Sequence, residues 1–140
     1  LDFYKEVKQT FTNYEQKFGL KLMKIDDHEV AFIGNDYAFG IGWSLDGIDL
    51  HYFQLINSTL CKFSLDELLD SKLTQRDRMG IIPSKTIYEK IINELIICER
   101  GIGNHFQEML KGNPLSCLSD KEFVTVTEKN IIEHELLSNK

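Results

Sequence analysis

Tyr4, Val7, Phe11, Tyr14 and Phe18 recur at spacings of three and four, which gathers five large apolar side chains on one stripe of a helix over residues 2–18. Gly19 follows and suits the left-handed conformation that ends a helix. The period then changes to two. Residues 20–25 and 29–33 alternate as strands around a turn at Asp26, Asp27 and His28, and Gly34, Asn35 and Asp36 turn the chain again. Tyr37, Phe39, Ile41, Trp43 and Leu45 alternate with Ala38, Gly40, Gly42 and Ser44, so the next strand has one bulky face and one nearly bare face. Asp46 and Gly47 suit a type I′ hairpin turn. That turn predicts Leu45 across from Ile48, Trp43 from Leu50 and Ile41 from Tyr52 as apolar cross-strand pairs. On the other face it sets Ser44 across from Asp49, Gly42 from His51 and Gly40 from Phe53, with nothing large to cover them.

Ser64, Leu65, Asp66 and Glu67 have the form of a capping box and predict a short helix to about Lys72. Residues 73–83 read as a loop, after which Ser84 or Thr86 caps a helix whose buried stripe is Ile87, Ile91, Leu95 and Cys98. Gly101 and Gly103 predict a break or bend near Gly101, each costing about 1 kcal/mol within a helix. Residues 122–127 predict one more strand and residues 131–137 a terminal helix. The fold class is α+β: an N-terminal amphipathic helix, an antiparallel β-meander, then helices packed on one face, in a single domain over residues 1–140.

Composition narrows the class. With 140 residues, 42% of them apolar, the chain can bury one core without metals or disulfides, and it shows neither a Gly/Ser-rich or Pro-rich linker nor an internal repeat. Cys61, Cys98 and Cys117 are odd in number and widely spaced, which favours buried structural thiols over a disulfide framework. The apolar run from Ile91 to Cys98 is interrupted by Asn93 and Glu94 and falls short of a membrane span. No basic flank precedes an apolar run at the N-terminus, so cytoplasmic residence is the expectation. The net charge of −6 has a location: between Lys24 and Lys62 there is no lysine or arginine, while Asp26, Asp27, Glu29, Asp36, Asp46 and Asp49 all fall there. Charge gathered this way suits a cationic partner and opposes a nucleic-acid one. The competing reading is that most of these aspartates serve turns through local hydrogen bonds.

Candidate chemistry is sparse. His28 and Glu29 near Asp26 and Asp27, or His51 near Asp49, lack the spacing of a metal site, and Glu133, His134 and Glu135 diverge around a helix. Ser44 with His51 and Asp49 is the one local grouping that resembles a nucleophile with a base, and no nucleophile elbow is present. Gly40-Ile-Gly42 and Gly101-Ile-Gly103 do not complete a dinucleotide fingerprint. No cofactor is expected. Trp43 belongs to the apolar alternation and is expected in the core.

The helix, the acidic meander centred on YAFGIGWSLDGIDLHYFQL and the following helices resemble small bacterial immunity proteins of contact-dependent and other polymorphic toxin systems. The resemblance covers the general form of residues 1–70 and aligns no diagnostic motif, so it transfers no residue role. It implies a protein that binds a cognate toxin domain stoichiometrically, often a basic nuclease, without catalysis. Asp26, Asp27, Asp36, Asp46, Asp49 and His51 are the candidate partner-binding residues. Two other classes stay open: a small hydrolase or metal-dependent enzyme on the Asp49/His51 face, and a ligand-binding or adaptor domain on the small-residue face of Ala38, Gly40 and Gly42.

Overall fold

The computed structural model describes residues 1–116, 118 and 121–139. Six antiparallel strands follow one another in meander order: β1 (Lys21–Asp26), β2 (Glu29–Ile33), β3 (Tyr37–Ser44), β4 (Gly47–Ile56), β5 (Thr59–Ser64) and β6 (Lys121–Glu122). Helices α1 (Phe3–Thr10) and α2 (Tyr14–Phe18) precede the sheet. α3 (Asp66–Lys72), α4 (Ile87–His105) and α5 (Gln107–Leu110) follow β5. After β6 the chain forms α6 (Val126–Glu128), a π-helical turn (Lys129–Glu133) and α7 (His134–Ser138).

Period-two alternation divides the sheet into two apolar faces. Val30, Phe32, Phe39, Ile41, Leu50 and Tyr52 pack against Phe3, Val7, Phe11 and Tyr14 and against Leu95 and Ile102 of α4. Ala31, Ile33, Ala38, Phe53 and Leu60 form a second core with Ile132 and Leu136 of the C-terminal segment. The α+β architecture agrees with the sequence pattern, but helices occupy both faces rather than one. Ala38 and Phe53 are therefore fully buried under a helix, on the face expected to be bare. The stripe Ile132 and Leu136, at helical spacing, needs an apolar surface of its own.

The expected helix over residues 2–18 is interrupted at Phe11, where φ −103° and ψ 38° end α1. Thr10, Thr12 and Asn13 are poor interior helix formers. The interruption lets Phe11 and Tyr14 meet edge to face at 5.0 Å while both contact Phe32. Gly19 ends α2 at φ +69°, as the sequence predicts.

The β3–β4 register differs from the expected one. Ser44 pairs with Gly47, Trp43 with Ile48, Ile41 with Leu50 and Phe39 with Tyr52. Leu45 and Asp46 form the loop at negative φ, and the positive φ falls on Gly47 at +125°. One glycine thus carries the strain that a type I′ turn would place on two residues. The pairing slides by an even number of positions, so every side chain keeps its predicted face while its partner changes. The type I′ character lies instead at Asn57 and Ser58, with φ +53° and +63°, joining β4 to the unanticipated strand β5.

Three other boundaries move. α3 starts one residue later than the proposed capping box, and the Ser64 hydroxyl accepts from the Asp66 amide at 3.3 Å. α4 runs unbroken through Gly101, where a Cβ would come within 2.6 Å of Leu73 Cδ2 and 2.8 Å of Leu69 Cδ1. Close approach of α3 to α4 is what the missing side chain permits, and packing offsets the helix penalty. The strand expected over residues 122–127 ends at Glu122, because Thr125 and Glu128 form a reciprocal capping box that starts α6.

Cys61 is buried on β5 and Cys98 packs against the larger core, both as free thiols, which fits the structural reading. Cys117 lies outside the described residues. Among the described residues no helix is long and apolar enough to cross a membrane.

Candidate partner-binding face

Antiparallel hairpins alternate their turns between the two ends of a sheet, which sorts the acidic residues. The β1–β2 turn with Asp26 and Asp27 and the β3–β4 turn with Asp46 lie at one end, and Asp49 and Glu29 flank Gly42 in the first cross-strand row behind them. Asp36 sits in the β2–β3 turn at the opposite end. The candidate set is thus divided, and Asp36 cannot share a contact surface with the others.

The two acidic turns are tied together by Trp43. Its indole Nε1 donates to the Asp27 carbonyl at 3.1 Å, its backbone amide donates to the His28 carbonyl at 2.9 Å, and its ring lies 4.6 Å from the His28 ring. Trp43 is half-buried against Phe3, so it serves the core and the turn at once. Asp26 Oδ1 accepts from the His28 amide at 2.8 Å, and Asp27 pairs with Lys24 at 3.0 Å. These two aspartates therefore serve the turn as well as the surface. Asp46 and Asp49 are exposed, and neither carboxylate takes part in an ion pair among the described residues.

Three acids that sequence reasoning missed join Asp46. Asp66 and Asp70 of α3 and Glu94 of α4 line a cleft of about 270 Å³ together with Asp46, with Ile48, Leu50, Leu69 and Cys98 as its apolar lining and Arg78 at its edge. The strand lengths explain two of them. β5 pairs with β4 only from His51 onward, so the amides of Ile48 and Leu50 face away from β3 with no strand beside them. Glu94 Oε2 accepts from Ile48 and Asp66 Oδ1 accepts from Leu50, each at 2.9 Å. The carboxylates thus replace a missing strand. Burial lifts the Asp66 carboxyl to about 6, the Leu50 amide pulls it back, and Asp49, Asp70 and Glu122 push it up further. Such mutual influence marks a concentrated negative potential. At the base of the cleft, burial together with Asp66, Glu94 and Asp70 pushes the Cys98 thiol up to about 12.

The grouping of Ser44, Asp49 and His51 does not form as the predicted register required. Asp49 stands across from Gly42, His51 across from Gly40, and Ser44 across from Gly47, where its hydroxyl accepts from the Asp46 amide at 3.1 Å. His51 Nε2 instead meets Glu122 at 2.8 Å, leaving Nδ1 buried without a partner among the described residues. Burial, then Lys62, holds the imidazole below its ordinary value, against the pull of Glu122. His51 is therefore a half-buried member of a packed charge cluster, not an exposed contact. The small-residue face is likewise filled at Gly40, whose absent Cβ would sit 3.0 Å from Phe53 and 3.2 Å from Glu29. Among the described residues no group of three or more His, Cys, Asp or Glu side chains is arranged to hold a metal ion.

The remaining cluster anchors the α3–α4 connection. Asp77, 2% exposed, accepts from the Thr74 amide at 2.8 Å, Asn104 Nδ2 at 2.8 Å and the Thr74 hydroxyl at 3.2 Å, and lies 2.9 Å from His105 Nε2. The Thr74 amide, His105 and Asn104 hold its carboxyl far below the usual carboxylate range. Arg100 donates to the carbonyls of Asp77 at 3.3 Å and Met79 at 2.6 Å, which fixes the segment bearing Arg78 beside the cleft. Comparison with known proteins finds no matching family, no matching curated protein and no matching solved structure.

Proposed function

We propose that this chain is a toxin-neutralising immunity protein that acts in the cytoplasm by stoichiometric binding to a cationic toxin domain, without catalysis or a cofactor. The observation that carries the reading is the convergence of Asp46, Asp66, Asp70 and Glu94 from three separate elements on one cleft, with Arg78 as the single cation among its lining residues. Asp49 points to the other face of β4 from Ile48 and Leu50 but adds to the negative potential at Asp66. A concave acidic surface focuses potential outward and accelerates encounter with a positive partner, while it repels the phosphate backbone that a nuclease toxin would otherwise engage. The partner is a protein presenting lysine and arginine side chains.

Asp46→Lys combined with Asp70→Lys tests the reading, because both side chains are exposed and, among the described residues, neither carboxylate holds a backbone amide. Stopped-flow association with a candidate cationic toxin domain that the wild-type protein binds should slow by about tenfold or more at low salt, with a flatter salt dependence. An unchanged rate and salt slope would remove the cleft as the binding face.

A further inference from the structure

Between the 3-10 turn Gln75–Arg78 and the start of α4 the chain forms neither helix nor strand, yet side chains of α4 hold its backbone in place. Asn104 Nδ2 donates to the Asp77 carboxylate at 2.8 Å, Arg100 Nη1 to the Met79 carbonyl at 2.6 Å and Asn93 Nδ2 to the Ile82 carbonyl at 2.8 Å. Asn93, Ile97, Arg100 and Asn104 recur at spacings of four, three and four, so they share one face of α4. The segment therefore runs back along that face as a strap. Ile97 beneath it and Arg78 within it both line the acidic cleft, so the strap forms part of the cleft wall. Glu94, next to Asn93, lines the cleft too and stands against Gly47 of the β3–β4 turn. Ile82 and the turn bearing Leu45 and Asp46 thus attach to the same turn of α4.

What these segments present to solvent is apolar. Met79 is 67% exposed, Ile82 78% and Leu45, beside Asp46, 73%. Single exposed apolar side chains are ordinary on a protein surface. Here three of them, from two separate segments, border one acidic cleft. The backbone of Met79 and Ile82 is already fixed by α4, so little freedom remains to be lost on binding. Ile82 also lines a hollow of about 360 Å³ with Pro83, Glu89 and Asn93, one helical turn from Ile97 of the cleft.

Apolar groups around a charged centre exclude water from it and strengthen the charge pairs inside. Resting on the reading of the cleft as the face for a cationic protein, we propose that Leu45, Met79 and Ile82 form an apolar rim that seats on apolar side chains flanking the partner's lysine or arginine. The partner surface is then of mixed character, basic at its centre and apolar around it, and not a bare polycation. The acids govern the rate of encounter, and the rim governs how long the complex lasts.

Two octapeptides of equal charge separate the rim from the cleft, one alternating arginine with leucine and the other arginine with serine. In NMR titrations of the full chain the leucine peptide should bind at least about tenfold more tightly, shifting the signals of Leu45, Met79 and Ile82. Met79→Ser combined with Ile82→Ser replaces two exposed side chains, so the fold persists, and it should bring the two affinities within about threefold. Asp46→Lys combined with Asp70→Lys should weaken both peptides together. Equal affinity of the wild type for both peptides, or a leucine preference that survives in the serine variant, would overturn the rim and leave the cleft standing. Wild-type binding of neither peptide would remove rim and cleft alike. A wild-type dimer in sedimentation equilibrium that the serine variant dissociates would also overturn the proposal, by assigning the rim to a second copy of the chain.

Discussion

Asp77 offers the sharpest link between a single side chain and the geometry of the cleft. It was a charged residue in an apparent loop, yet it lies buried and joins the 3-10 turn Gln75–Arg78 to Asn104 and His105 at the end of α4. Asp77→Ala removes the acceptor for three hydrogen-bond donors and the neighbour of His105, leaving the Thr74 amide and Asn104 in a partly buried space. Removing one side of such a network costs about 3–5 kcal/mol. Asp77→Asn retains one oxygen and loses the charge, so about 2 kcal/mol is expected. Urea denaturation followed by circular dichroism at pH 7 measures both. The pH dependence is the stronger test, because the folded carboxyl lies below its unfolded value of 3.8. Its stabilisation is complete above 3.8 and falls as pH drops toward the lower folded value, at about 1.4 kcal/mol per unit. The gap between wild type and Asp77→Asn should therefore narrow by about 1 kcal/mol between pH 7 and pH 3. A gap of the same size at both pH values would refute the claim that the charge itself, rather than the shape of the side chain, holds the turn.

Two further outcomes follow from the cleft. Gly47→Ala should destabilise by about 2 kcal/mol in the same urea assay, because its φ of +125° is unsuited to an L side chain and its Cβ would meet Glu94 Oε2 at 2.5 Å; a loss under about 0.5 kcal/mol would contradict the strain argument. Cys98, with its thiol pushed up to about 12, should be alkylated by iodoacetamide at pH 8 at least about a hundredfold more slowly in the folded chain than in urea, as read by peptide mass spectrometry.

The apolar pattern carried the fold because burial is periodic and local: the stripe Tyr4 to Phe18 and the alternation Tyr37 to Trp43 each name the face that meets the larger core. It failed where two structures share one pattern. Asp46-Gly47 reads equally well as a two-positive-φ turn or as a loop ending in one positive-φ glycine, and only the observed pairing of Ser44 with Gly47 separates them. Asn57-Ser58 forms the turn that Asn-Gly usually marks, so β5 lacked its usual signal although Leu60 and Lys62 alternate with Cys61 and Phe63. The Thr125 to Glu128 capping box was visible in the residues, but Phe123 and the alternating valines and threonines beside it favoured a strand. For the candidate face, one half was legible. Asp46 and Asp49 fall in the cation-free stretch, whereas Asp66, Asp70 and Glu94 reach the same end of the sheet from helices that sequence distance hides.

The division among these carboxylates bears on what a partner can use. Glu94 and Asp66 complete the exposed edge of β4, and Asp26 and Asp27 complete the β1–β2 turn. Any partner cation that draws Glu94 or Asp66 away would strip the amide of Ile48 or Leu50 of its acceptor, at a cost of about 1–3 kcal/mol for each unsatisfied group. Their second lone pairs can still be shared, so they contribute potential and one further hydrogen bond without moving. Among the described residues the carboxylates of Asp46, Asp49 and Asp70 accept from no backbone amide, so they can follow a partner's side chains. A rigid acidic floor with two adjustable carboxylates, Asp46 and Asp70, beside it suits capture of lysine or arginine side chains in more than one geometry. Neutralising Asp46, Asp49 or Asp70 should therefore weaken association and leave folding within about 0.5 kcal/mol, whereas neutralising Glu94 or Asp66 should reduce stability as well.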